Sequence, residues 1–187
     1  MELIYASWLI GLEIPVSRST DLVPQTILFG PSDWVPNNSD LPVLFYPSGI
    51  ESDADLADMF EHRFRANGWM GCWRNGIFSY QHYHTKAHEV LGIAAGTARI
   101  LLGGPDGQVF EVRAGDCLVL PAGTGHQNIE SSTDFLVVGA YPPHQHADIC
   151  TGRADAGDLD TIKALKLPAS DPIAGPGGPL IDLWKSP

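Results

Sequence analysis

Two histidines separated by a single residue, His82 and His84, with Glu89 shortly after them, form the strongest chemical signal in the chain. In an extended segment side chains alternate between faces, so His82 and His84 point the same way and their ring nitrogens converge. Phe78 and Tyr80 share that face, while Ser79, Gln81 and Tyr83 take the other. Glu89 lies beyond a short bend, T-K-A-H, from which a following strand returns its carboxylate beside His84. A further histidine, His126, ends the stretch G-D-C-L-V-L-P-A-G-T-G-H, just after a turn bearing Gly and Pro. Neutral imidazoles at His82, His84 and His126 with the Glu89 carboxylate suit one divalent transition metal, iron, manganese, nickel, cobalt or zinc, with positions left open for water or substrate. A structural zinc site fills its positions and usually uses thiolates. The set therefore points to catalysis on a small-molecule ligand, or to its capture.

These residues need short strands to hold them, and the sequence supplies the pattern. Strands are expected over residues 76–85, 89–94, 97–102, 108–113, 116–120, 125–130 and 134–141, with G-G-P-D-G at 103–107 as a tight hairpin turn. Such regular short spacing argues for an all-β sandwich or barrel, and no βαβ alternation appears. One clear helix is expected over 52–67, opened by Ser52 with Asp53 and Asp55 in its first turn and stopped at Asn67-Gly68. Its stripe of Leu56, Met59, Phe60 and Phe64 packs on a sheet, and His62 falls on its solvated side. Before it, the proline-bounded run 41–47 reads as an edge strand. After the strands, a short helix over 159–167 stops at Pro168, and the Gly- and Pro-rich strap at 174–179 leads to the apolar Leu180, Ile181, Leu183 and Trp184, which dock on the sheet or on a second subunit.

Composition narrows the partners. At 187 residues with 44% apolar content the chain forms one core. A net charge of −11 excludes nucleic acid and anionic membrane as partners, since both would repel it. Cys72, Cys117 and Cys150 are widely spaced, which predicts free thiols in a reducing compartment. The apolar start, residues 1–16, carries Glu2 and Glu13 and lacks a cleavage pattern, so it reads as an N-terminal strand or arm of a cytoplasmic protein.

The stretch from Gly76 resembles the first motif of the cupin family, G-x5-H-x-H-x4-E-x6-G, through Gly76, His82, His84, Glu89 and Gly96. The stretch from Gly115 resembles the second, G-x5-P-x-G-x2-H, through Gly115, Pro121, Gly123 and His126. The Asn that often ends that motif is replaced by Glu130. The resemblance extends from about Pro36 to the C-terminus and is strongest to small bacterial single-domain cupins without a known activity. It implies a mainly β fold, a double-stranded β-helix or jelly-roll barrel, with an N-terminal-half helix and a short C-terminal helix. The implied organisation is an arm or strand at 1–35, a barrel at 36–150 and a C-terminal helix and strap at 151–187. It further implies metal ligation by His82, His84, Glu89 and His126, and a homodimer.

The remaining polar candidates are weaker. Tyr80 and Tyr141 are read as wall residues with satisfied hydroxyls, or as substrate-orienting or proton-donating groups. His88 neighbours Glu89 and so takes the opposite face, at the surface or an interface. His144 and His146 repeat the two-residue spacing in a loop without a carboxylate in register. Lys86 and Arg74 are the nearest cations to the first motif, available to a substrate carboxylate at the mouth. Three activities fit: a dioxygenase- or isomerase-type metalloenzyme acting on a small polar metabolite, a binding module sensing a metabolite or metal, and a metal-independent sugar epimerase or isomerase.

Overall fold

The computed structural model describes residues 22–52 and 54–185. The strands are β1 (Gln25–Ile27), β2 (Val43–Tyr46), β3 (Met70–Asn75), β4 (Glu89–Ala95), β5 (Thr97–Leu102), β6 (Gln108–Arg113), β7 (Cys117–Leu120), β8 (His126–Ser131) and β9 (Leu136–Tyr141). They form a six-stranded sheet, β1-β2-β7-β4-β9-β3, and a three-stranded sheet, β6-β5-β8, antiparallel throughout. The arrangement is mainly β, with two antiparallel sheets. The strands expected from residue 89 onward are present to within two residues at each end.

Alternation along the central strands decides what each face meets. Val90, Val119, Val138 and Ala140 share a core with helix α1 (Leu56–Ala66). Their neighbours Leu91, Ile93, Leu118, Leu120 and Val137 face the other way and pack with Ala98, Ile100, Leu102, Phe110 and Val112 of the small sheet. Glu89 has the parity of Leu91 and Ile93, so the strand that builds the core also carries the carboxylate into the space between the sheets.

Two expectations about the first half are corrected. Helix α1 begins later than Ser52: Asp55 is its N-cap, its carboxylate accepting from the Ala57 and Asp58 amides at 2.8 and 3.3 Å. It ends at Asn67, with Gly68 at φ +79°. Phe60 and Phe64 are fully buried, each contributing about 1.5–3 kcal/mol by removal from water. Phe60 lies directly over Gly92, where any Cβ would overlap its ring. The run 41–47 supplies β2, which lies between β1 and β7 rather than at the edge, because Gln25–Ile27 adds a further strand outside it. The apolar run at 1–16 lies outside the described residues.

At the other end, α2 spans Ala156–Ala164, earlier than expected, because Asp155 and Asp158 form a reciprocal capping box. A third helix, α3 (Pro179–Leu183), follows the strap. Buried Asp171 ties this segment down: it accepts from the Tyr46 hydroxyl at 2.5 Å and from the Ile173, Ala174 and Leu180 amides at 2.8–3.0 Å. The Trp184 indole donates to the Pro42 carbonyl at 2.8 Å. The apolar tail thus docks on its own sheet.

Candidate metal centre

The segment expected as a strand over 76–85 is not one. Residues 76–88 run irregularly, held by isolated bridges between His82 and His126 of β8 and between Tyr83 and Cys150. These bridges preserve the alternation that matters. His82 and His126 exchange backbone hydrogen bonds at 3.2 and 2.9 Å, and the Gly123 amide donates to the His84 carbonyl at 2.8 Å. The two motif stretches are thereby laid side by side. Gly123 has φ +90° with its Cβ direction closed by the Asn37 carbonyl, so the turn accepts only glycine there. Gly96 is similarly required, at φ +70° between β4 and β5. Gly76 has open space around it and an ordinary φ, so nothing in the structure demands glycine at that motif position.

His82, His84 and His126 are buried, and one ring nitrogen from each lies within 4.8 Å of the others. Glu89 joins them: its Oε2 stands 3.3 Å from His84 Nε2 and 3.4 Å from His126 Nε2. The Nδ1 atoms face backbone carbonyls, those of Tyr80 and Thr124 at 3.1 Å and that of Asp148. A carbonyl can only accept, so each Nδ1 carries the hydrogen and each Nε2 presents a lone pair inward. Glu89 Oε2 is buried without a hydrogen-bond partner. When all three imidazoles are neutral, four acceptors converge with no hydrogen between them, an arrangement that a cation satisfies.

The electrostatics agree in direction. Burial, then the neighbouring His126, pushes His82 down to about 3, so it stays neutral in water. Burial also acts against charge on His84 and Glu89, but their mutual attraction outweighs it, holding His84 above and Glu89 well below their ordinary ranges. The cluster attracts positive charge.

A cavity of about 230 Å³ opens onto the cluster. Tyr141 lines it, its hydroxyl accepting from the Trp73 indole at 2.8 Å, and burial together with the Glu89 charge raises its pKa, keeping it protonated. Trp73 lies across Gly139, where a Cβ would overlap the indole. Phe78 is also in the wall, with Tyr80 stacked against it at 4.9 Å and outside the lining. A larger groove of about 790 Å³ elsewhere on the molecule contains none of the motif histidines.

Two expectations change, for His88 and for the nearby cations. His88 takes the face opposite Glu89, but it is wholly buried, because that face is covered by the C-terminal segment. Its Nδ1 accepts from the Ala122 amide at 3.0 Å and its ring lies 4.9 Å from that of Trp184. Arg74 is not free for a substrate, being paired with Asp58 and Glu61 at 2.6 and 2.7 Å, and Lys86 is exposed outside the lining. His144 and His146 are exposed and stand apart from the histidine group.

Asp148 was not singled out by sequence. Its carboxylate accepts from the Thr85 amide, the Thr85 hydroxyl and the Lys86 amide at 2.6–3.1 Å, while its carbonyl faces His84 Nδ1. It fixes the backbone on both sides of one imidazole.

No known family model matches the sequence. The chain is 38% identical over 162 residues to the uncharacterized protein YjlB of Bacillus subtilis, covering 86% of this chain and 96% of that one. The chain belongs to the YjlB family. Among solved structures, it is similar to acireductone dioxygenase from Bacillus anthracis with a cadmium ion in its active center, at 14% identity and TM-score 0.42, covering 58% of this chain and 83% of that one. It is also similar to oxalate decarboxylase from Bacillus subtilis, at 20% identity and TM-score 0.35, covering 61% of this chain and 28% of that one. A conserved protein of Klebsiella pneumoniae with a double-stranded β-helix domain matches at 14% identity and TM-score 0.34, over 81% of this chain and 100% of that one. Among the described residues of this YjlB relative, no helix is long and apolar enough to cross a membrane.

Proposed function

We propose that this protein is a divalent-metal enzyme, of dioxygenase or isomerase type, acting on a small oxygen-bearing metabolite, with His82, His84, Glu89 and His126 as the metal ligands. The observation that carries this reading is the convergence of one ring nitrogen from each of three buried histidines, two of which face an unpartnered Glu89 oxygen at 3.3 and 3.4 Å, with every Nδ1 already committed to a carbonyl. When bound there, iron, manganese, nickel, cobalt or zinc supplies a Lewis acid with positions open to substrate oxygens.

The surrounding residues have separate tasks. Asp148, Thr124 and Tyr80 hold the imidazoles in one tautomer through their carbonyls. Trp73 fixes the Tyr141 hydroxyl, which remains protonated beside Glu89 and donates a hydrogen bond to a substrate oxygen. Trp73, Ile77, Leu91 and Ile149 form apolar walls that exclude water and strengthen each polar contact inside.

The test is metal analysis of protein purified without a histidine tag. The wild type is expected to hold about one ion per chain, as a single open mononuclear site would, and His126→Ala to lose it. Retention of the ion by His126→Ala contradicts the ligand set. Turnover that survives stoichiometric removal of the metal contradicts the enzyme assignment.

A further inference from the structure

His88 stands beside the cluster without facing the cavity: it is wholly buried, yet it is absent from the cavity lining. Its main-chain amide donates to the Gln145 side-chain oxygen at 2.9 Å, and Gln145 opens the 145–150 segment whose Asp148 carbonyl faces His84 Nδ1. Its ring Nδ1 accepts from the Ala122 amide at 3.0 Å. The two residues after Ala122 are tied to the histidines in turn: the Gly123 amide donates to the His84 carbonyl, and the Thr124 carbonyl faces His126 Nδ1. The residue after His88 is Glu89 itself. One residue thus reaches the backbone that orients His84, His126 and Glu89.

A core position gives no reason of its own for a histidine. With Nδ1 accepting from an amide, the neutral ring carries its hydrogen on Nε2, and that atom is buried with no oxygen or nitrogen to receive it among the described residues. A half-satisfied polar side chain in an apolar core is costly, and a leucine would fill the space without that cost. What a leucine lacks is the acceptor for the Ala122 amide.

The C-terminal segment supplies what the ring otherwise lacks. The Trp184 indole lies against it, with centroids 4.9 Å apart and planes at 51°, and an aromatic ring is a weak acceptor for an N–H. Trp184 is itself anchored by its bond to the Pro42 carbonyl. On the same loop Asn38 donates to the Ala122 carbonyl at 3.1 Å, so Ala122 is held on both sides. Gln145 is tied to the C-terminal segment as well, donating to the Lys166 carbonyl at 2.7 Å.

We propose that His88 is a positioning residue of the metal centre, holding the second-motif turn and the 145–150 segment in register around it. Trp184 locks His88 in that role, so docking of the C-terminal segment and binding of a metal ion at the cluster favour each other. This rests on the metal-binding reading above. Neither residue touches the ion, and both act through the backbone that carries the ligands. The coupling runs both ways by thermodynamic necessity: the factor in metal affinity lost when Trp184 is undocked is the factor gained in docking when metal binds.

The experiment titrates the full-length protein with zinc in competition with a chromophoric chelator. His88→Leu, which leaves the Ala122 amide without an acceptor, and Trp184→Ala are each expected to weaken zinc roughly tenfold or more. His88→Gln, which keeps an acceptor, and Trp184→Phe, which keeps an aromatic face, are expected to restore most of that affinity. Phe64→Leu, which thins the same core from helix α1, is expected to lower stability without moving zinc affinity, so general destabilisation does not imitate the effect. A measurement on the wild type serves if the variants do not fold: hydrogen exchange at the Trp184 indole is expected to slow roughly tenfold when zinc binds. Zinc affinity unchanged in His88→Leu and Trp184→Ala, His88→Gln no better than His88→Leu, or indole exchange indifferent to zinc overturns the proposal. A wild type that takes up no zinc contradicts the metal reading together with the inference built on it.

Discussion

His82 and His126 are backbone partners as well as neighbours in the cluster: each amide donates to the other's carbonyl, at 3.2 and 2.9 Å, and the rings stand 4.0 Å apart. The two residues are 44 positions apart in sequence, so the site is set by how the second-motif turn lies against the first. That turn depends on Gly123. Gly123→Ala would place a Cβ 2.6 Å from the Asn37 carbonyl at φ +90°. The expected cost is about 1–3 kcal/mol, with weaker metal uptake, read by chemical unfolding and metal titration. Unchanged stability would mean that the turn is not what aligns the motifs.

Asp148 acts on His84 from outside the cluster. Asp148→Ala removes the acceptor for two amides and a hydroxyl that hold the 84–86 backbone. Metal affinity is expected to fall roughly 10- to 100-fold without abolition of binding, in a competition assay against a chelator. Complete loss would place Asp148 among the ligands or in the folding core instead.

Metal binding should release protons in a pH-dependent way. Burial acts against charge on His84, but the Glu89 carboxylate beside it holds its pKa above the ordinary range, which favours a proton there in the metal-free protein. A bound cation requires the neutral imidazole. Proton release measured in weak buffer is expected to decline as pH rises. Release that rises with pH would contradict the sign of this coupling.

Buried His88 gives the metal-free protein an acid-side weakness. Burial pushes its pKa down to about 3 in the folded state, whereas the unfolded chain takes up the proton near the ordinary 6.5. The folded state has the depressed value, so stability is unaffected above about pH 6.5 and falls as pH drops from there toward 3, by up to about 1.4 kcal/mol per pH unit for this proton. His88→Gln, which keeps an acceptor for the Ala122 amide, is expected to flatten that slope by one proton's share in urea unfolding between pH 4 and 6. An unchanged slope would show that His88 is not the group responsible.

The convergence of His82, His84 and His126 was legible because motif spacing and strand parity act over short distances. The strands from Glu89 onward follow from alternation, and Glu89 from the parity it shares with Leu91 and Ile93. The segment before it was legible only in part: the spacing of His82 and His84 correctly put both on one side, but two isolated bridges hold that side in place of a regular strand. His88 shows the limit of parity. It tells which face a side chain takes, whereas burial of that face depends on the distant Trp184. Asp148 and Trp73 act through hydrogen bonds to partners more than 60 residues away, which leave no local pattern. A partial signal did exist, since glycines inside apolar strands mark close approach, and Gly92 and Gly139 are where Phe60 and Trp73 lie.

X-ray absorption by the metal-loaded protein tests the central claim most directly, because it reads the donor atoms themselves. The predicted spectrum contains the scattering of three imidazoles with oxygen in the remaining positions and no sulfur, and Glu89→Gln weakens binding while leaving the imidazole scattering in place. A spectrum with sulfur donors, or with fewer than three imidazoles in the wild type, would contradict a centre built from His82, His84, His126 and Glu89.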